Sequence, residues 1–432
     1  MVCCVICEDL LSRNLKYLCP KLGLFKLLTQ SSDNDNGHET TSRQYDSCSI
    51  DTMELMDSYE ALFIKRDNLD NELVLAIPKN GIIDVDVWDT ITLACVDQNL
   101  RILNFFELPG NSRIDKLYCG RLWDNTPAFF HYDTDVLADM NRLTRCPASN
   151  AITVRKTSTS CAKSKGIRYE IGFRLGWFEF YSLYDVCYRI SDQRALYANH
   201  KIHGSTLARH QAMYYDDRRP FDTAGDSIDT DIGDFYEKFA QSKNIGSDLI
   251  ITESRYFARG HLSRFADGIF KSFKTATNYY VNVNPHWQSV NNGNFKAVEN
   301  RVSALAKRLN RDVHVITGGY GEMNINNTDI KIGKAVAPSW IYKVVMNQLL
   351  MEGIALVVWN NPMSPPETNL CKDICPKLSG NSNGWNFPNK YDRESGVVIC
   401  CSVGDLTRAI GNIYDLEDAE RYRILNYNGQ QF

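Results

Sequence analysis

Residues 256–268 read YFARGHLSRFADG. His261 sits inside an Arg-Gly-His triplet, flanked by aromatic and apolar residues. A histidine beside a glycine is more often packed in a turn than catalytic, so the triplet needs support from elsewhere in the chain. Thirty residues on, Asn291 precedes a segment, FKAVENRVSALAKRL at 295–309, whose Phe295, Val298, Val302, Leu305 and Leu309 recur at helical spacing. Asn291 can cap that helix, as can Asn292. Alternatively, its amide oxygen points outward and ligates a hard cation, since Mg²⁺ often uses one or two protein oxygens and keeps its waters. Glu299 follows eight residues later, about two helical turns on, and breaks the side of the helix lined by Phe295 and Val302. It is either a surface charge or an acceptor that orients a metal-bound water.

These residue types suit phosphodiester hydrolysis. Imidazole takes a proton from water near neutral pH. A cation at the scissile phosphate stabilises developing charge, and arginine clamps phosphate through two parallel bonds.

ARGHL at 258–262, NVNPHWQSVNNGNFKAVEN at 282–300 and DVHVITGGYGE at 312–322 together resemble the DNA/RNA non-specific endonuclease family. The signature of that family is Asp-Arg-Gly-His, an Asn opening a helix, and a Glu eight residues on, matched here by Arg259-Gly260-His261, Asn291 and Glu299. The match runs over residues 165–415, and the chain looks most like the arthropod secreted branch of gut and salivary double-stranded nucleases. The resemblance implies an α+β fold: a ββα-metal nuclease domain, with a central antiparallel sheet and flanking helices, over residues 165–425. His261 would be the general base and Asn291 the direct ligand of Mg²⁺, or of Mn²⁺ in its place. Glu299 would hold a metal-bound water, and Arg259 would contact phosphate or brace the site. The family also uses an arginine upstream of the histidine. Arg219, with Arg218 beside it, fits that place, and Arg209 is the second choice. Water would attack phosphorus in DNA or RNA, above all double-stranded, leaving 5′-phosphate ends; a homodimer is compatible with the resemblance. Ala258 departs from the signature, standing where the Asp is expected. Loss of that carboxylate is either tolerated or leaves a salivary-type protein that binds nucleic acid better than it cuts it.

Upstream, residues 48–150 read as a small β-rich domain. ELVLAIPKNGIIDVDVWDTITLACV at 72–96 alternates apolar and polar residues around a Lys-Asn-Gly turn. LRILNFFEL at 100–108 and TPAFFHYD at 126–133 are further strands. Residues 1–47 are a cysteine-containing segment and a polar linker, with a lone Cys4-Val-Ile-Cys7.

The 432 residues carry 48 Lys and Arg against 52 Asp and Glu, for a net charge of −4, so any polyanion must bind through a local patch. Residues 155–174 hold six basic side chains and read equally as a phosphate-facing patch or a solvated linker. His200, His203 and His210 lack a cysteine or carboxylate to complete a zinc site and read as exposed histidines on a strand. The acidic stretch 222–237 lacks the ligand order of an EF-hand and reads as a solvated loop.

Ten of the 14 cysteines lie beyond residue 40, enough for five disulfides, and no paired CxxC motifs with zinc spacing occur. With the sequon Asn326-Asn327-Thr328 they point to secretion, although the start of the chain lacks a clear signal peptide. No stretch approaches the roughly 18–20 apolar residues of a membrane span.

Overall fold

The computed structural model describes residues 47–52, 60–66, 73–96, 113–147, 150–175, 180–207, 256–325, 327–332, 334–378, 384–412 and 414–427. The described chain starts with a β-rich region. Strands β1 (Ser47–Asp51) and β4 (Ile82–Asp86) pair with each other. Strands β2 (Leu62–Arg66), β3 (Leu73–Leu75), β5 (Thr90–Cys95), β6 (Arg113–Arg121) and β7 (Pro127–His131) form a five-stranded sheet in the order β3-β2-β5-β6-β7. The expected turn is present: Lys79 and Ile82 exchange backbone hydrogen bonds around Asn80 and Gly81, both with positive φ, the conformation for which Asn-Gly is favoured. Residues 100–108 lie outside the described residues.

A second, nine-stranded sheet follows. Its strands are β8 (Thr153–Cys161), β9 (Gly166–Arg174), β10 (Phe180–Arg189), β11 (Arg194–His203), β14 (Asp312–Tyr320), β19 (Trp340–Asn347), β20 (Glu352–Trp359) and β21 (Val398–Cys401), in the order β21-β20-β19-β14-β11-β10-β9-β8, with β22 (Arg423–Ile424) against β20. All neighbours are antiparallel except β20 and β22. Every residue of β19 is buried, because both sheet faces are covered. Ile341 and Val345 join the cluster under the long helix, while Tyr342, Val344 and Met346 join the cluster on the other face.

Residues 155–174 are therefore two paired strands, β8 and β9, and not a linker. Arg155 pairs with Glu170, and Arg168 Nε lies 3.8 Å from Asp185 Oδ2, so two of the six cations are locally balanced.

Between β11 and β14 the chain builds a compact ββα unit. Strand β12 (Phe257–His261) pairs with β13 (Val283–Trp287), and between them lies the short helix α1 (Lys271–Ala276). After β13 the chain turns helical at Gln288, kinks at Gly293, whose φ of −87° and ψ of −119° are not helical, and continues as α2 (Lys296–Leu309), which ends on the left-handed residue Asn310. Phe295, Val298, Val302 and Leu305 pack on Val313, Val315, Ile341 and Val345 of the sheet, as their period requires. Strands β15 (Asn324–Ile325), β16 (Thr328–Asp329), β17 (Lys331–Ile332) and β18 (Ala335–Val336) form two short hairpins before β19.

The β-rich region and the ββα unit share a core. Phe63, Leu93 and Leu117 cluster with Ile269, Phe270 and Phe273 around α1. Glu60, 2% exposed, accepts hydrogen bonds from the Ser272 backbone N at 3.2 Å and from Ser272 Oγ at 2.5 Å. Burial raises the pKa of the Glu60 carboxyl.

Five disulfides lie among the described residues: Cys48–Cys119, Cys95–Cys146, Cys161–Cys187, Cys371–Cys401 and Cys375–Cys400. They use all ten cysteines beyond residue 40. No described helix is long and apolar enough to cross a membrane.

Candidate active site

The β12–β13 register places Ala258 opposite His286, Arg259 opposite Pro285, Gly260 opposite Asn284 and His261 opposite Val283. Gly260 is required by close approach: a Cβ there would lie 2.0 Å from Nδ1 of His286, whose ring lies over it. Asn360, wholly buried, accepts from Trp287 N at 3.0 Å and donates to Pro285 O and Pro338 O, which fixes the end of β13.

His261 is partly buried, and its Nε2 lies 2.9 Å from Asn278 Oδ1. An amide oxygen only accepts, so Nε2 carries the proton and the basic lone pair is on Nδ1. The sequence reading passed over Asn278. The loop after His261 is held by Asn282, which is fully buried. Its Oδ1 accepts from Ser263 N at 2.8 Å, and its Nδ2 donates to Ser263 O and Thr277 O at 2.9 Å each.

Asn291 does not cap the helix. Its φ of −60° and ψ of −47° are helical, and it lies in the short helical turn that precedes the kink at Gly293. Its Oδ1 lies 3.4 Å from Nδ1 of His286, a long hydrogen bond that orients the amide. His286 is fully buried, packs edge-on against Phe295, and is pushed down to about 3 by burial, so its ring is neutral.

Glu299 is no surface charge. Its side chain is 12% exposed and its Oε2 lies 3.3 Å from Arg264 Nε. Burial raises the Glu299 pKa, against the pull of Arg264 and Lys343. Lys343 is 1% exposed, donates to Thr317 Oγ1 at 2.7 Å, and is held below its ordinary value by burial. Arg259 is itself exposed on β12, although Phe257 on the same strand side is buried. Arg209, Arg218, Arg219, His210 and the acidic stretch 222–237 lie outside the described residues, as do Cys4, Cys7 and Asn326.

His200 corrects the expectation of exposed histidines on β11: it is 6% exposed, with Nε2 3.2 Å from Asp267 Oδ2. Sheet packing puts position 200 on a covered face, which periodicity did not reveal. His203 Nδ1 lies 3.0 Å from Asp312 Oδ1.

The donor set tests which ion would suit the site. Among the described residues the one trio of His, Cys, Asp or Glu ligand atoms is Asp373, Cys375 and Cys400. That trio is already engaged: the two sulfurs form a disulfide, and Asp373 accepts from both backbone nitrogens and pairs with Lys390. The candidate donors that share the ββα unit with His261 are the carboxamide oxygen of Asn291 and the carboxylate of Glu299. An ion that wants three or four protein ligands, such as zinc, does not fit them; a hard, hydrated divalent ion does.

Residues 166–406 match the family model described as DNA/RNA non-specific endonuclease. The chain belongs to the DNA/RNA non-specific endonuclease family. Its relatives in this family include a salivary endonuclease of Lutzomyia longipalpis, 30% identical over 61% of this chain and 65% of that protein. Salivary protein Tsal2A of Glossina morsitans morsitans is 29% identical over 61% of this chain and 69% of its own length. The chain thus spans 65% of the first relative, just short of two thirds. A solved complex of EndoG with EndoGI is 15% identical, covers 58% of this chain and 90% of that chain, and has a TM-score of 0.38, a likeness too loose to bear on the site.

Within the endonuclease-family segment the structure gathers more than the signature names. His261, Asn291 and Glu299 belong to one ββα unit. Asn278, His286, Arg264 and Lys343 support them, and none of the four was chosen from the sequence. The signal available was weak: Arg264 is the second arginine of the opening stretch and lies outside the Arg-Gly-His triplet, and Lys343 is a lone charge in an apolar strand, WIYKVVMN.

Proposed function

We propose that this chain is a metal-dependent, sugar-non-specific endonuclease that hydrolyses phosphodiester bonds of DNA or RNA, double-stranded substrates included. The observation that carries the reading is His261 held by Asn278 through Nε2, with its basic Nδ1 in the same ββα unit as Asn291 and Glu299. His261 Nδ1 takes a proton from the attacking water, whose oxygen bonds to phosphorus while the bond to the 3′ oxygen breaks; that oxygen takes a proton from solvent and leaves as a 3′-hydroxyl, and a 5′-phosphate remains. Asn291 Oδ1 would hold Mg²⁺, or Mn²⁺, and Glu299 a water of its shell. The bound ion would supply charge stabilisation at the phosphate and the leaving oxygen. Arg259, itself exposed, would contact phosphate, and Arg219 and Arg218, which lie outside the described residues, are the further candidate phosphate contacts.

Five disulfides and salivary relatives support a secreted protein.

The test is cleavage of plasmid DNA and double-stranded RNA with Mg²⁺ by wild type and His261→Ala. Loss of the base is expected to slow turnover by about 10²–10⁴-fold. Equal cutting by both proteins removes His261 as base. A wild type that binds both polymers tightly and cuts neither with Mg²⁺ or Mn²⁺ establishes the alternative, a salivary-type binder without nuclease activity.

A further inference from the structure

Arg264 stands three residues beyond His261 and has no part in the reading above. Its Nε lies 3.3 Å from Glu299 Oε2, its Nη1 donates to Ser303 Oγ at 3.1 Å, and its Nη2 donates to Asn300 Oδ1 at 2.6 Å. Three nitrogens of one planar fork thus engage three residues within about one turn of one helix. The origin of the fork is equally fixed. Ser263, the residue before it, is bonded through both backbone groups to Asn282, and Leu262 N donates to Asn282 O at 2.9 Å.

A polar layer backs this strut. Ser303 Oγ donates to Asp267 Oδ1 at 2.9 Å, and Asp267 meets His200 of β11. Two carboxylates, Glu299 and Asp267, are balanced by two cations, Arg264 and Lys343. Taking charges out of water is costly, and removing one partner of such a set leaves an uncompensated buried charge. The layer therefore has one low-energy arrangement, which sets the distance between the strand of His261 and the helix of Glu299.

We propose that Arg264 is a positioning residue: it locks α2, with Glu299, onto the loop that follows the His261 strand, and aims the Glu299 carboxylate at the ion that Asn291 would hold. The second half rests on the endonuclease reading; the first does not.

The experiment uses the full chain with Arg264→Met and Arg264→Lys. Amide hydrogen exchange is followed over residues 288–303, and Mn²⁺ affinity is measured by titration calorimetry. With the fold retained by circular dichroism, Arg264→Met is expected to exchange on the order of tenfold faster in that segment, the loss of bonds to a charged group. Its Mn²⁺ affinity is expected to fall about 10–100-fold, as for loss of a group that orients a ligand. In a Glu299→Gln background the same substitution should lower Mn²⁺ affinity no further, because it acts through Glu299. Arg264→Lys, which keeps charge without the fork, should fall between. Wild-type exchange in Arg264→Met overturns the proposal, and so does faster exchange with unchanged Mn²⁺ affinity. A wild type that binds no Mn²⁺ overturns the endonuclease reading instead, and exchange alone then decides the positioning role. If Arg264→Met does not fold, Asn300→Ala with Ser303→Ala, which spares the Glu299 pair, carries the exchange test with the same two outcomes.

Discussion

Ala258 stands directly opposite His286 in the strand pair that carries His261. Successive side chains on a strand alternate faces, so residue 258 shares a face with Gly260 and His286, and His261 lies on the other. A carboxylate at 258 would therefore meet the neutral His286 ring before it met His261. Ala258→Asp is expected to raise the pH at which His286 titrates, seen by NMR of the ring, and to leave turnover on plasmid DNA unchanged. A clear gain in turnover would show that the missing carboxylate limits the proposed cleavage.

Gly260→Ala is expected to destabilise the fold by about 1–3 kcal/mol, the usual cost of overpacking. The added methyl would meet the His286 ring at 2.0 Å and displace it from Asn291. Urea denaturation measures the loss. In a His286→Ala background the penalty should shrink, and an equal penalty there would place the strain elsewhere.

Asn278→Ala removes the acceptor 2.9 Å from His261 Nε2 and frees the ring to adopt the other tautomer. Turnover is expected to fall at least about tenfold, part of the 10²–10⁴-fold worth of the base itself. KM should hold, because Asn278 touches His261, the proposed base, and is not among the proposed phosphate contacts. A variant with raised KM and intact turnover would assign Asn278 to binding.

Acid should unfold the protein early. Burial holds His286 down to about 3 and lowers His200 as well, while the unfolded rings titrate near about 6.5. Between those values the unfolded chain binds more protons, so stability is complete above pH ~6.5 and falls as pH drops. Each ring steepens that loss by up to about 1.4 kcal/mol per pH unit. Glu60 and Glu299, raised by burial, act in the opposite sense over part of the window. Urea midpoints across pH, taken in EDTA, measure the slope. His286→Gln should flatten it, and an unchanged slope would mean that the ring is protonated in the fold.

The sequence by itself determined the long helix, the hairpin turn and the family, and it named the candidate site residues. Phe295, Val298, Val302 and Leu305 announce α2 because a helix must bury one stripe, and Asn80-Gly81 announces its turn because few residues accept positive φ. His261, Asn291 and Glu299 were legible as a spaced motif, and the cysteine count as five bridges. The tertiary structure alone decided the partners. Which cysteines join depends on contacts such as β8 with β10 across the sheet, and that His200 is buried, that Asn278 holds His261 and that Arg264 grips Glu299 across 35 residues depends on how the ββα unit packs on the sheet. The physical reason is range. Local periodicity records which face of an element avoids water. Buried polar groups take whatever partner the finished fold brings within about 3 Å, and that partner has no fixed distance along the chain.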